Sequence, residues 1–146
     1  MSVNSLLKYG LNEEIKFLKL LTTKINNDSI IIKKTEGQFC CVDYIITNLI
    51  SSHSIMIELK SRRVNLSKYN DFLIGYSKLN NISTEYNNKM VLLVWSDIYE
   101  NVYFCEYKNN LLLSKTTTIN GGKCFLINKS DTENGISKLI NKILDI

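Results

Sequence analysis

With 146 residues, 45% of them hydrophobic and 22% charged, the chain has the length of one domain, spanning 1–146, and too much apolar content for a disordered or fibrous protein. Its apolar runs are too short to cross a bilayer, and no membrane partner is expected. A net charge of +4 tolerates a polyanionic partner without demanding one.

Cys40, Cys41, Cys105 and Cys124 contain no CxxC pair and are accompanied by a single histidine, His53. The spacing of a structural zinc site cannot be assembled from them, and free thiols are expected. The opening Met1-Ser2-Val3-Asn4-Ser5 lacks the basic and apolar regions of a secretion signal. The expected compartment is therefore a reducing intracellular one, cytoplasm or nucleus.

In chain order, Leu11, Ile15, Leu18 and Leu21 recur at helical spacing and predict a first helix over Leu11–Thr22. After the turn-like Asn26-Asn27-Asp28, three β-rich runs follow: Ser29–Lys34, Gln38–Thr47 and Ser54–Lys60, which read as a meander. Ser67 is a candidate N-cap for a second helix reaching Ile82, with Phe72, Leu73, Tyr76 and Leu79 as its apolar side. The unbroken apolar run Met90–Trp95 predicts a buried central strand. Val102–Tyr107, Leu111–Leu113 and Lys123–Asn128 are further strand candidates. Ser130-Asp131-Thr132-Glu133 reads as a capping box opening a last helix with the stripe Ile136, Leu139, Ile140, Ile143 and Leu144. The order α-βββ-α-ββ-(ββ)-α implies an α/β (α+β) fold, a central mixed β-sheet flanked by helices.

Three acidic residues are out of place in these elements. At about 100° per residue, Glu14 falls in the middle of the first helix's apolar stripe, whereas Glu13 lies at its edge and can be solvated. A carboxylate so placed needs a cation or a buried lysine to offset its desolvation. Asp43 interrupts a run, Cys40–Ile46, otherwise suited to a buried strand. In Ile57-Glu58-Leu59-Lys60 the two-residue period puts Glu58 and Lys60 on one face. If the two strands pair, Asp43 meets Glu58 across the ladder and Glu14 arrives from the helix packed over them. Clustered carboxylates with open water positions suit Mg²⁺ beside a phosphate, and a neighbouring ammonium can orient the attacking water. This makes Glu14, Asp43 and Glu58 candidate metal ligands and Lys60 the candidate partner of the nucleophile.

These residues resemble the PD-(D/E)xK nuclease superfamily. Its signature is matched by Val42-Asp43-Tyr44-Ile45-Ile46 and Ile57-Glu58-Leu59-Lys60, with Val42 in place of the signature proline. Gly10, Glu14 and the apolar residues after it are similar to the first helix of archaeal Holliday-junction resolvases, as is Glu58-Leu59-Lys60-Ser61-Arg62. The resemblance runs from about Gly10 to Arg63. It implies a restriction-endonuclease-like fold and Mg²⁺-dependent hydrolysis of a nucleic-acid phosphodiester, with Mn²⁺ as a substitute. It further implies Glu14, Asp43, Glu58 and Lys60 as catalytic residues, and the Leu59 backbone carbonyl as a metal ligand beside the three carboxylates.

Glu14-Ile15-Lys16 and Glu106-Tyr107-Lys108 also fit acid-x-lysine, and about one or two such triplets arise by chance at this composition, so the short motif alone is weak. Asp97 before Glu106 makes that pair the competitor. Only around Glu58 do an upstream helix glutamate, a strand aspartate and a following helix occur in the order of the superfamily.

Positive charge gathers after the motif, in Arg62, Arg63, Lys68 and Lys78, interleaved with Tyr69, Phe72 and Tyr76. Arg62, Arg63, Lys68, Lys78 and Tyr69 are candidate nucleic-acid contacts, against the plainer reading of a solvated face with core aromatics. Ser61 and Gln38 are weaker polar candidates near the metal. The expected activity is that of a DNA endonuclease of resolvase, repair or restriction type, working as a homodimer. The alternatives are an inactive nuclease-fold module that binds nucleic acid or a protein, and a structural ion-pair cluster.

Overall fold

The computed structural model describes residues 3–35, 42–86 and 88–146, with the side chains of 3–8 and 11 left out. Among these residues the order is α1 (Val3–Ile25), β1 (Ile30–Lys34), β2 (Tyr44–Asn48), β3 (Ser54–Arg62), β4 (Asp71–Gly75), α2 (Tyr76–Glu85), β5 (Met90–Asp97), β6 (Val102–Glu106), β7 (Thr116–Ile119), β8 (Gly122–Asn128), β9 (Glu133–Asn134) and α3 (Ile136–Leu144). The main sheet has six strands ordered β1-β2-β3-β5-β6-β9, and a second sheet has three ordered β4-β8-β7. β3 and β5 run parallel, and every other pair in the main sheet is antiparallel, so the sheet is mixed as expected. The expected meander is β1-β2-β3. Cys40, Cys41 and Gln38, and with them the start of the strand expected from Gln38, lie outside the described residues.

Alternation along the central strands divides the core between the two sides of the sheet. On one side Ile57, Leu59, Leu92 and Val94 pack with Phe17, Leu21 and Ile25 of α1 and Leu139, Ile140 and Ile143 of α3. On the other, Met56, Val91, Leu93 and Trp95 pack with Leu79 and Ile82 of α2 and with Phe72, Ile74, Phe125 and Ile127 of the second sheet. Of the expected stripe, α1 buries Leu21 and half-buries Leu18 against the core, while Ile15 is exposed and Phe17 and Ile25 complete the buried face.

Two expected helix starts are corrected. Asn65 Oδ1 accepts from Ser67 N at 3.1 Å and Ser67 Oγ at 2.6 Å, capping a short 3-10 turn over Leu66–Lys68. The chain then enters β4, and α2 begins only after Gly75. In the same way Asn128 Oδ1 accepts from Ser130 N at 3.0 Å and caps a turn over Lys129–Asp131. Ser130–Glu133 is thus no capping box, and α3 starts after Gly135, whose φ of 115° suits glycine. In both places an asparagine two residues before a serine competes for the backbone that a helix would use. The strand expected at Leu111–Leu113 is a 3-10 turn, Asn109–Leu113, and β7 follows it. Among the described residues no helix is long and apolar enough to cross a membrane. Cys105 and Cys124 are free thiols, and burial pushes Cys105 up to about 12.

Candidate active site

β2 and β3 pair with Tyr44 opposite Ile57, and one step further along this register Asp43 faces Glu58. The Asp43 N–H still donates to Ile57 O at 2.8 Å. Beyond it the aspartate side chain takes over, its Oδ2 accepting from Leu59 N at 2.7 Å. A carboxylate at the strand end replaces the next rung of the ladder, which explains why an acid is tolerated in an apolar strand.

Glu58 stands on the α2 side of β3 and is 2% exposed. Its Oε1 accepts from Lys60 Nζ at 3.0 Å and lies 3.5 Å from Lys78 Nζ of α2. Its Oε2 is buried and, among the described residues, has no hydrogen-bond partner. Glu14, on the α1 side, pairs with Lys34 Nζ at 2.9 Å, and its backbone carbonyl accepts from the Tyr44 hydroxyl. Burial, reinforced by the Glu14 and Asp43 charges, holds the Tyr44 hydroxyl proton tightly.

Asp43 senses both neighbouring acids. Burial, then the charge of Glu58, then Glu14 by charge and hydrogen bond push its carboxyl up to about 8, against the Leu59 N–H that favours the anion. The structure thus brings Glu14, Asp43, Glu58 and Lys60 together at one end of β3. Ion pairs to Lys34, Lys60 and Lys78 hold Glu14 and Glu58, and among the described residues no three acidic, histidine or cysteine side chains form a ready-made metal cage. Glu13 is engaged instead by Lys16 at 3.1 Å, one helical turn away.

The competing acid has a different occupation. Asp97 accepts from Leu66 N at 2.8 Å and from Tyr99 N, Asn101 N and Asn101 Nδ2, each at 2.9 Å. Burial would raise its carboxyl, but these donors outweigh it and hold the group below its ordinary value. It fastens the β5–β6 turn to the loop after β3. Glu106 lies 3.6 Å from Lys142 of α3.

The basic candidates divide. Arg62 lies two residues beyond Lys60 on the same strand, half-buried, and burial weakens its hold on the proton. With Lys68, Tyr69 and Trp95 it lines a groove of about 660 Å³. Arg63 sits 3.9 Å over the Tyr9 ring. Tyr69 is 49% exposed, whereas Phe72 is buried and stacked on Trp95. Tyr76 stacks on Phe125. Lys78 is at Glu58 and not on the outer surface with Lys68. Sequence reasoning missed Lys34 and Tyr44 altogether. Their signal was the β1–β2 register, which sets Lys34 opposite Tyr44.

No protein-family model matches the chain, and no curated protein matches it by sequence. Among solved structures, it is similar to Hjc, a Holliday junction resolvase from Archaeoglobus fulgidus. The likeness covers 88% of this chain and 96% of the resolvase, with a TM-score of 0.56 and 13% sequence identity. The chain has the restriction-endonuclease-like fold of that resolvase, a central mixed sheet flanked by helices. In this fold Glu14 lies on α1, Asp43 immediately before β2, and Glu58 and Lys60 on β3.

Proposed function

We propose that this protein is a Mg²⁺-dependent nuclease that hydrolyses phosphodiester bonds in nucleic acid, with DNA as the favoured substrate and internal cleavage as the mode. The observation that carries the reading is the meeting of Asp43 with both Glu58 and Glu14, on a nuclease fold, beside the Lys60 ammonium. Like-charged carboxylates gathered in a buried place destabilise one another unless a cation joins them.

The residues present fit a hard divalent ion. They offer carboxylate oxygens, among them the buried Glu58 Oε2, which has no hydrogen-bond partner among the described residues. Asp43, Glu58, Glu14 and the Leu59 carbonyl would hold the ion, which when bound lowers the pKa of water and offsets charge on phosphorus. Asp43 is kept in position by the Leu59 N–H. Lys60, freed from Glu58, orients the attacking water and stabilises negative charge at the phosphate. Arg62, two residues beyond Lys60 on β3, lines a groove with Lys68 and Tyr69 and with them offers contacts to the flanking strand, with Arg63 next to it in the chain. The expected assembly is a homodimer, because a chain of this size does not surround a duplex.

A second reading has its own support. The lysine pairs already made by Glu14 and Glu58 suit a nuclease-fold module that binds nucleic acid or a protein without cutting. The deciding experiment offers supercoiled plasmid, linear duplex, single strand, four-way junction and RNA to the wild type, Asp43→Ala and Asp97→Asn, with Mg²⁺ or Mn²⁺. Cutting lost with Asp43→Ala and kept with Asp97→Asn supports the nuclease. No cutting by the wild type, together with salt-dependent DNA binding that Glu58→Ala and Lys60→Ala leave intact, supports the binding module and overturns the nuclease.

A further inference from the structure

Glu58 and Lys60 both come from β3, whereas Lys78 comes from α2, in a different layer. The helix is seated by Leu79 and Ile82, both fully buried in the cluster that contains Met56, Val91 and Leu93 of the central strands. Lys78 immediately precedes Leu79, so the packing that clamps α2 onto the sheet also fixes where its side chain starts. The ammonium ends 3.5 Å from Glu58 Oε1, the same oxygen that Lys60 approaches at 3.0 Å.

A second ammonium on an oxygen already paired adds little to the stability of the pair, since the side chain of Lys78 is 29% exposed and its charge is partly screened. What the arrangement does provide is two cations converging on one oxygen position. An oxygen anion that is not part of the protein can be held at that position by the same charge-assisted contacts. If Glu58 turns to a divalent ion, the place of its Oε1 between the lysines is open to a phosphate oxygen.

We propose that Lys78 is a second catalytic lysine: together with Lys60 it contacts the scissile phosphodiester, exchanging its ion pair with Glu58 for the phosphate when metal and DNA are bound. The inference rests on the nuclease reading. The bond changes are those of hydrolysis, in which the water oxygen bonds to phosphorus, the bond from phosphorus to the leaving oxygen breaks, and the proton lost by the water balances the one gained by the leaving oxygen. Lys78 supplies charge and moves no proton. In this role it differs from a lysine such as Lys68, whose position on the groove suits a contact to flanking phosphates.

The test compares the wild type with Lys78→Met, Lys78→Arg and, as a charge-matched control on the exposed side of α3, Lys138→Met. For Lys78→Met, kcat at saturating DNA is expected to fall about 100-fold, as when one donor to a developing oxyanion is removed. DNA affinity in Ca²⁺ should stay within about threefold, Lys78→Arg should recover part of kcat, and Lys138→Met should match the wild type. Without DNA, a Mn²⁺ titration followed by electron paramagnetic resonance is expected to show several-fold tighter binding by Lys78→Met, because no ammonium from α2 competes for Glu58. Unchanged kcat in Lys78→Met, or a loss confined to DNA affinity with a salt slope smaller by about one, overturns the inference while leaving the nuclease intact. A wild type that neither cuts nor binds Mn²⁺ removes the nuclease reading itself, and the inference with it.

Discussion

Replacing Asp43 by asparagine removes one charge from between Glu14 and Glu58 but keeps an oxygen to accept the Leu59 N–H. The wild-type carboxyl is raised from 3.8 to about 8, first by burial and then by Glu58. A raised carboxyl means that the folded state holds its proton more tightly than the unfolded chain does. The resulting stability is fully present below pH 4, falls while the unfolded chain releases its proton and the folded one does not, and levels off above pH 8. At 1.36 kcal/mol per pH unit, the metal-free wild type should lose on the order of 3 kcal/mol between pH 5 and pH 8. Asp43→Asn should lack this decline and be the more stable protein at pH 8 by a similar amount. Urea denaturation in EDTA across that pH range measures both quantities. Repeating it in Mg²⁺ should restore stability at pH 8 to the wild type, by an amount that grows with the logarithm of metal concentration, and do little for Asp43→Asn. If the two proteins show the same pH dependence, or if Asp43→Asn is destabilised at pH 8, Asp43 is a paired structural anion and the reasoning from repulsion is wrong.

Three further outcomes follow from the geometry. Lys60→Met should lower the rate of DNA cleavage by about 100-fold or more while DNA binding persists in Ca²⁺, a difference read by comparing single-turnover rates with fluorescence anisotropy. Asp97→Ala strips the acceptor from four hydrogen bonds that fasten the β5–β6 turn. It should cost about 1–3 kcal/mol in urea denaturation, with metal affinity by calorimetry unchanged. Gly135 has φ 115° at the start of α3, and Gly135→Ala should destabilise by about 1 kcal/mol or more through backbone strain, seen as a lower thermal midpoint.

Much of the candidate site was legible in the sequence because its signals are violations of local rules. Asp43 in an apolar strand, Glu58 and Lys60 alternating out of a hydrophobic run, and Glu14 in a helical stripe each break a pattern that burial otherwise enforces. The two-residue period was enough to put Glu58 and Lys60 on one side of β3. The helix starts were misread because Asn65 and Asn128 cap short turns with their own side chains. An asparagine–serine turn and a helix N-cap draw on the same residue types. β4 was hidden for a different reason, since Phe72 and Leu73 suited a helix face as well as a strand.

Composition and periodicity by themselves determined a mixed α/β chain, its central strand over Met90–Trp95, and the acids that do not belong in a core. They act through local propensity and through the sign of burial at each position, which a sequence carries directly. Only the tertiary structure decided what each charge faces. It gave Lys34 to Glu14, set Lys78 of α2 against the same oxygen as Lys60, and assigned Asp97 to a turn. Those choices depend on which helix lies on which side of the sheet and at what register. They are fixed by the packing of Leu21, Leu79 and Trp95 against residues distant in the chain, which local sequence does not specify.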